Sequence, residues 1–280
     1  MCLFSGPVRH VAGTQIYAAP VPSLSPAHQR LVYEMEVALE RDTAMVLPIP
    51  VPPASAEDAV TFVDMSACAN FFDCLAALWP QPQSGELTRG GGGPIPRPAS
   101  TLRVHDVGDF EASFVPTLAD FARLDERFRL PNEVWSKLPQ YADWGFAVFK
   151  LRSAKEQSEE GKGLLARIFS RGATAPRAKR RHPMAFDFPR RKASELFFPT
   201  VHVHDGEVHE TAVFDHTFYA QLEANPPSSE PTDHWWKAPT ATTGLMHTAK
   251  PFVLLDRPVY KKRLAGDQPN RDQSLVSAPA

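Results

Sequence analysis

The sequence predicts an α+β protein with largely antiparallel sheets and a few packed helices, and three observations carry that reading. Several segments alternate apolar and polar residues with period two, only a few show a helical stripe, and the two kinds do not interleave in the regular βαβ order of a parallel sheet. Leu31, Tyr33, Met35, Val37 and Leu39 alternate with Val32, Glu34, Glu36 and Ala38, which reads as a half-buried strand. Thr43 to Leu47 returns as its neighbour, with Arg41-Asp42 at the turn. Ala59 to Val63 is a further short strand, leading into a helix from Ser66 to Trp79 that Pro80 stops. A second helix starts at Thr117, a capping residue with Asp120 three positions on, and turns a stripe of Leu118, Phe121, Leu124 and Phe128 toward a core. Trp144 to Leu151 is a strongly apolar strand. Pro183 to Phe188 alternates again, with Met184, Phe186 and Phe188 on one face and His182 just before them.

Proline and glycine divide the chain. The 28 prolines fall in clusters, which mark where regular structure stops. The expected organisation is an N-terminal strand-rich part, 1–80, that ends in a helix. A Gly/Pro-rich linker, 81–100, contains the run Gly90 to Gly93, and a C-terminal α+β part spans 101–265 with a charged insertion at 153–181. The tail 266–280 is polar enough to be read as disordered.

The segment Thr200-Val-His-Val-His-Asp-Gly-Glu-Val-His-Glu210 holds the strongest local signal. Asp-Gly between two alternating runs predicts a tight β-hairpin. With Asp205-Gly206 as the loop, His204 opposes Glu207 and His202 opposes His209, so three imidazoles and a carboxylate share one face, opposed Cβ atoms lying about 4.5–5.5 Å apart. Continuing the alternation puts Leu196, Phe198 and Val213 on the same face, giving the polar cluster apolar walls, as ligand pockets have. The chemistry such a face suits is a divalent metal. His202, His204 and His209 are the candidate ligands, His182 an additional one, and Glu207 a candidate catalytic base or further ligand. Imidazole and carboxylate point to Zn, Fe or Mn, and a metal-dependent hydrolase or oxygenase is the corresponding enzyme class.

Two other function classes are visible. Cys2 would become the terminal residue if Met1 were removed, and its α-amine, with a reference pKa near 7.7–8.0, could serve as its base. A chain that opens Met-Cys and runs into a strand resembles the N-terminal-nucleophile amidohydrolases and glutamine amidotransferases. That resemblance implies a catalytic Cys2, and it covers only the first residues. The stretch Arg167 to Lys192 gathers nine cations, Arg167, Arg171, Arg177, Lys179, Arg180, Arg181, Arg190, Arg191 and Lys192, against the single acid Asp187. With the amphipathic segment Gly163 to Arg171 it suggests a non-enzymatic scaffold docking on an anionic partner.

Composition narrows the classes. A formal net charge of −2 gives no general reason to expect nucleic acid. No apolar run approaches the ~18 residues of a membrane span, and the first residues lack the basic leader and apolar stretch of a signal peptide, so a cytoplasmic protein is expected. Cys2, Cys68 and Cys74 are odd in number and lack CxxC spacing, which suggests neither a disulfide framework nor a thiolate metal site.

Overall fold

The computed structural model describes residues 3–24, 27–79, 105–107, 110–153, 179–180, 182–223 and 234–276. The chain begins with β1 (Leu3–Phe4), β2 (Val8–Val21), β3 (His28–Leu39), β4 (Thr43–Ile49), β5 (Thr61–Val63) and the short helix α1 (Phe71–Ala76). There follow β6 (His105–Val107), β7 (Phe110–Val115), α2 (Asn132–Ser136), β8 (Gly145–Leu151), β9 (Lys179–Arg180), β10 (Met184–Pro189), β11 (Glu195–Phe198), β12 (Thr211–Ala220), β13 (Trp236–Lys237), β14 (Tyr260–Pro269) and β15 (Gln273–Val276).

These strands form two main sheets packed face to face. The smaller has the order β1-β4-β8-β7-β6; the larger runs β13-β14-β12-β2-β3-β10-β5, with β9 also on β3, and β11 pairs separately with β15. Alternation decides what each strand contributes. Ile16, Leu31, Tyr33, Phe186 and Phe218 of the large sheet meet Met45, Leu47, Phe114 and Phe149 of the small one in a shared core. The opposite residues of the large sheet, Tyr17, Val32 and Tyr219, pack under α1 through Phe71, Phe72 and Leu75. The outer face of the small sheet, with Ala44, Val46 and Val148, is covered by Phe121, Phe128, Val134 and Tyr141.

The architecture is therefore β-rich, and the α+β class with packed helices is overturned. The apolar stripes that predicted helices are too short and too interrupted to propagate, so they serve as lids on the outer sheet faces. Ser66 to Cys68 is a 3₁₀ turn and α1 only six residues long. Leu118–Arg123 is also 3₁₀, and the Thr117 hydroxyl donates to the Asp120 carboxylate at 2.7 Å instead of capping the backbone. Because both faces of the large sheet are covered, β3 is buried almost throughout and not half-buried. Thr43 to Ile49 does not pair with β3 either. It crosses to the other sheet and lies between β1 and β8.

Other expectations hold. Trp144 to Leu151 becomes β8, Ala59 to Val63 contains β5, and β10 turns Met184, Phe186 and Phe188 into the shared core. Residues 266–276, expected to lack structure, instead end β14 and form β15, because Thr211 to Ala220 offers β14 a full antiparallel ladder and β11 pairs with β15. Both sheets combine strands from residues 3–63 with strands from 105–276. The linker 81–100 and most of the insertion 153–181 lie outside the described residues. Among the described residues no helix is long and apolar enough to cross a membrane.

Candidate functional site

The turn that sequence predicts at Asp205-Gly206 is present, but the hairpin is not. Gly206 takes φ +86°, the left-handed conformation that glycine accepts without penalty, and Asp205 Oδ1 accepts the Glu207 N–H at 3.0 Å. The flanking arms then pair with other segments. Val203 bridges Leu3 in parallel, Phe4 N–H donates to Val203 O at 3.1 Å, and Val8 N–H donates to His204 O at 3.3 Å. On the other side, Asn270 Oδ1 accepts the His202 N–H at 2.7 Å while Nδ2 donates to the carbonyls of His202 and His209 at 3.0 and 2.9 Å. The backbone groups that a hairpin ladder would use are thus satisfied by the first strand and by the β14–β15 connection.

Residues 201–204 therefore extend the edge of the small sheet beside β1. Alternation sends Val201 and Val203 outward with Leu3, and His202 and His204 inward with Phe4. Here they meet the large sheet, from which β12 contributes Phe214, His216 and Phe218. The three imidazoles form a column. His202 stacks on His216 at 5.3 Å between centroids and on His204 at 5.2 Å, with interplanar angles of 25° and 17°. His216 is only 1% exposed and His202 7%, whereas His204 is partly open to solvent. The column thus runs from the core to the surface. Its walls are Phe214, 4.3 Å from the His202 ring, Phe4, 5.4 Å from His204, and Phe218, 6.0 Å from His216.

Burial sets the electrostatics. Desolvation disfavours the imidazolium form, pushing His202 down to about 2 and His204 down to about 4 and holding His216 far below the usual histidine range. All three rings are neutral at physiological pH, and the Nε2 atom of each is buried without a hydrogen-bond partner. The other nitrogen of His216 is engaged, Nδ1 accepting the Asp215 N–H at 3.2 Å, which places the ring's proton on Nε2.

The remaining sequence candidates stand apart from this column. His209 is exposed and its Nε2 bonds to Asp205 Oδ2 at 2.9 Å, because without the hairpin ladder it no longer opposes His202. Glu207 is exposed at the turn. His182 packs against Phe110 at 4.6 Å, and its Nδ1 lies 3.0 Å from Pro183 O, in a different part of the molecule. Val213 is 70% exposed and lines nothing, while Leu196 and Phe198 do enter the shared core. Cys2 lies outside the described residues. Among the described residues no group of three or more His, Cys, Asp or Glu side chains is placed to hold a metal ion as the rings stand.

His216 is not among the ligands expected from the sequence. Its signal was there: in Phe214-Asp-His-Thr-Phe218 the histidine alternates with phenylalanines on the buried face, with Asp215 on the other. The basic run Arg167 to Lys192 divides in two. Arg167 to Arg177 and Arg181 lie outside the described residues, Lys179–Arg180 form β9, and the cations at the end of the run are committed within the fold. Arg190 is 7% exposed and pairs with Glu223 at 2.6 Å, Arg191 pairs with Asp143 at 3.0 Å, and Lys192 pairs with Glu195 at 2.9 Å.

No family model and no curated relative matches the chain. Among solved structures it is similar to one described as the crystal structure of baculovirus P35, with 12% identity and a TM-score of 0.42 over 99% of each chain. At that level of similarity no residue role passes from one protein to the other.

Proposed function

We propose that this chain is a metal-binding protein whose ligands are the imidazoles of His202 and His204, with His216 as the third ring of the site. One observation carries the reading: three buried imidazole Nε2 atoms without a hydrogen-bond partner sit in one column. A buried polar atom without a partner costs about 1–3 kcal/mol, and natural folds rarely leave several together unless something else occupies them. Neutral imidazole in an apolar surround is also the form in which histidine ligates a transition-metal ion. No reaction is assigned to the site. Glu207, the base that the sequence suggested, is exposed at the turn.

The test is elemental analysis of the purified protein after reconstitution with individual metal ions, compared with the His202→Ala/His204→Ala double variant. Near-stoichiometric metal in the parent and its loss in a folded double variant support the reading. An equal metal content in both, or none in either, overturns it.

A further inference from the structure

We infer that the ion held by His202 and His204 is a monovalent d¹⁰ cation of the Cu(I) or Ag(I) class, in preference to the Zn, Fe or Mn that the residue types alone suggest. The inference rests on the metal reading above, and two features of the column carry it.

The first is charge. The ligands are uncharged, the walls are Phe4, Phe214 and Phe218, and the carboxylates of the neighbouring segments are engaged elsewhere. Glu34 pairs in register with Gln15, itself beside Thr217, and so occupies the opposite face of the large sheet from His216. Asp215 also lies across the sheet, contacting the Gly13 N–H at 3.2 Å and Arg263 at 3.5 Å. Asp205 is engaged by His209 and the Glu207 N–H, while Glu207 and Glu210 are exposed. Asp205 acts on His204 across space from the exposed turn, and apart from it an ion entering here keeps its charge in apolar surroundings. In continuum terms the desolvation cost grows with the square of the charge, so it is about fourfold larger for a divalent ion than for a monovalent ion of equal radius.

The second is coordination number. The Asp215 N–H donates to His216 Nδ1, so the Nε2 of this ring carries a proton and presents an N–H instead of a lone pair. Two lone pairs remain, on His202 and His204. Monovalent d¹⁰ ions accept two ligands readily, whereas zinc asks for four. The His202 and His204 planes lie 17° apart, so ligation requires a ring to turn about χ2, a broad torsion for histidine, and the partly open His204 is the ring with room to do so.

Thermal unfolding of the full chain tests this, in chloride-free buffer and in a Cys2→Ser/Cys68→Ala/Cys74→Ala background that removes all three competing thiols. Ag(I), Cu(I) under anaerobic reduction and Zn(II) are added separately at equal concentration. The expected result is a Tm rise of roughly 5 °C at a hundredfold excess over Kd for the monovalent ions and no shift for zinc. His204→Leu and His202→Leu should each abolish the rise, and His209→Ala should leave it intact. A larger rise with zinc that the same leucine variants abolish overturns the monovalent assignment while the metal reading stands. No rise with any ion, or a rise that survives both leucine variants, overturns both.

Discussion

The side chain of Asn270 grips His202 from both sides of its peptide unit, accepting its N–H at 2.7 Å and donating to its carbonyl at 3.0 Å. The same amide reaches the His209 carbonyl at 2.9 Å, so one residue in the β14–β15 connection replaces the ladder that a hairpin would have provided. Asn270→Ala removes all three bonds and is expected to cost about 2 kcal/mol, at roughly 1 kcal/mol or less per partly exposed bond. Urea unfolding measures the loss, and hydrogen exchange of the His202 amide should accelerate more than that of the β2–β3 amides.

Tyr141 anchors the same loop from below. Its hydroxyl donates to Asp272 Oδ2 at 2.5 Å, while Asp272 Oδ1 accepts the N–H groups of Thr200 and Val201 at 2.7 and 3.1 Å. Desolvation holds the Asp272 carboxyl above the usual carboxylate range, so it depends on each of its donors. Tyr141→Phe keeps the ring in its core and deletes only the donor, with an expected loss of about 1–3 kcal/mol in denaturant unfolding.

The histidine column makes stability depend on acidity, with a definite sign. The folded-state pKa values of His202, His204 and His216 are depressed by burial, so the unfolded chain takes up protons that the folded chain excludes. The stabilisation is complete above the ordinary imidazole pKa and declines as pH falls below about 6.5, continuing through the His204 value of about 4. Each ring contributes up to about 1.4 kcal/mol per pH unit in that window. Unfolding free energies at pH 7, 6 and 5 should therefore fall more steeply for the parent than for His216→Leu, the slopes differing by about 1 kcal/mol per unit over that range. Equal slopes would mean that His216 titrates normally in the folded protein.

At neutral pH the same substitution should change stability by no more than about 1 kcal/mol, because it removes both a buried Nε2 that has no partner and the Nδ1 that accepts the Asp215 N–H. A marked destabilisation of His216→Leu at pH 7 would show that the ring makes a bond essential to the fold.

Gly145, at the start of β8, tests the packing between the sheets. A Cβ there would fall 2.5 Å from Phe114 Cε2 and 2.9 Å from Val51 Cγ2, closer than packed atoms approach. Gly145→Ala is expected to cost about 1–3 kcal/mol by overpacking, read as a lower midpoint in urea at unchanged m-value.

What was legible in the sequence was local. The Asp205-Gly206 turn is there, and the i, i+2 spacing does put His202 and His204 on one side. What failed was the pairing of the arms, because turn chemistry says nothing about the competition offered by Leu3 and Asn270, both remote in sequence. The third imidazole came from β12 for the same reason: His216 could be read as buried, yet only the packing of one sheet on the other shows what it faces. The fold class failed at the short apolar stripes around Phe71 and Phe121, where a few residues do not distinguish a helix from a single turn. In the basic run, charge counted along the chain does not show that Arg190 and Arg191 are already matched by Glu223 and Asp143.

The parallel pairing of β2 with β12 sets the order in which this molecule can be assembled. Thr14 to Ala18 find their partners only at His216 to Ala220, some two hundred positions later, so β2 emerges from synthesis long before the strand that completes it. Until then one of its edges is an open template for any other extended chain. Truncations ending before Thr211 should accordingly accumulate as aggregates, and refolding of the whole chain should be slow, limited by the search for that distant contact.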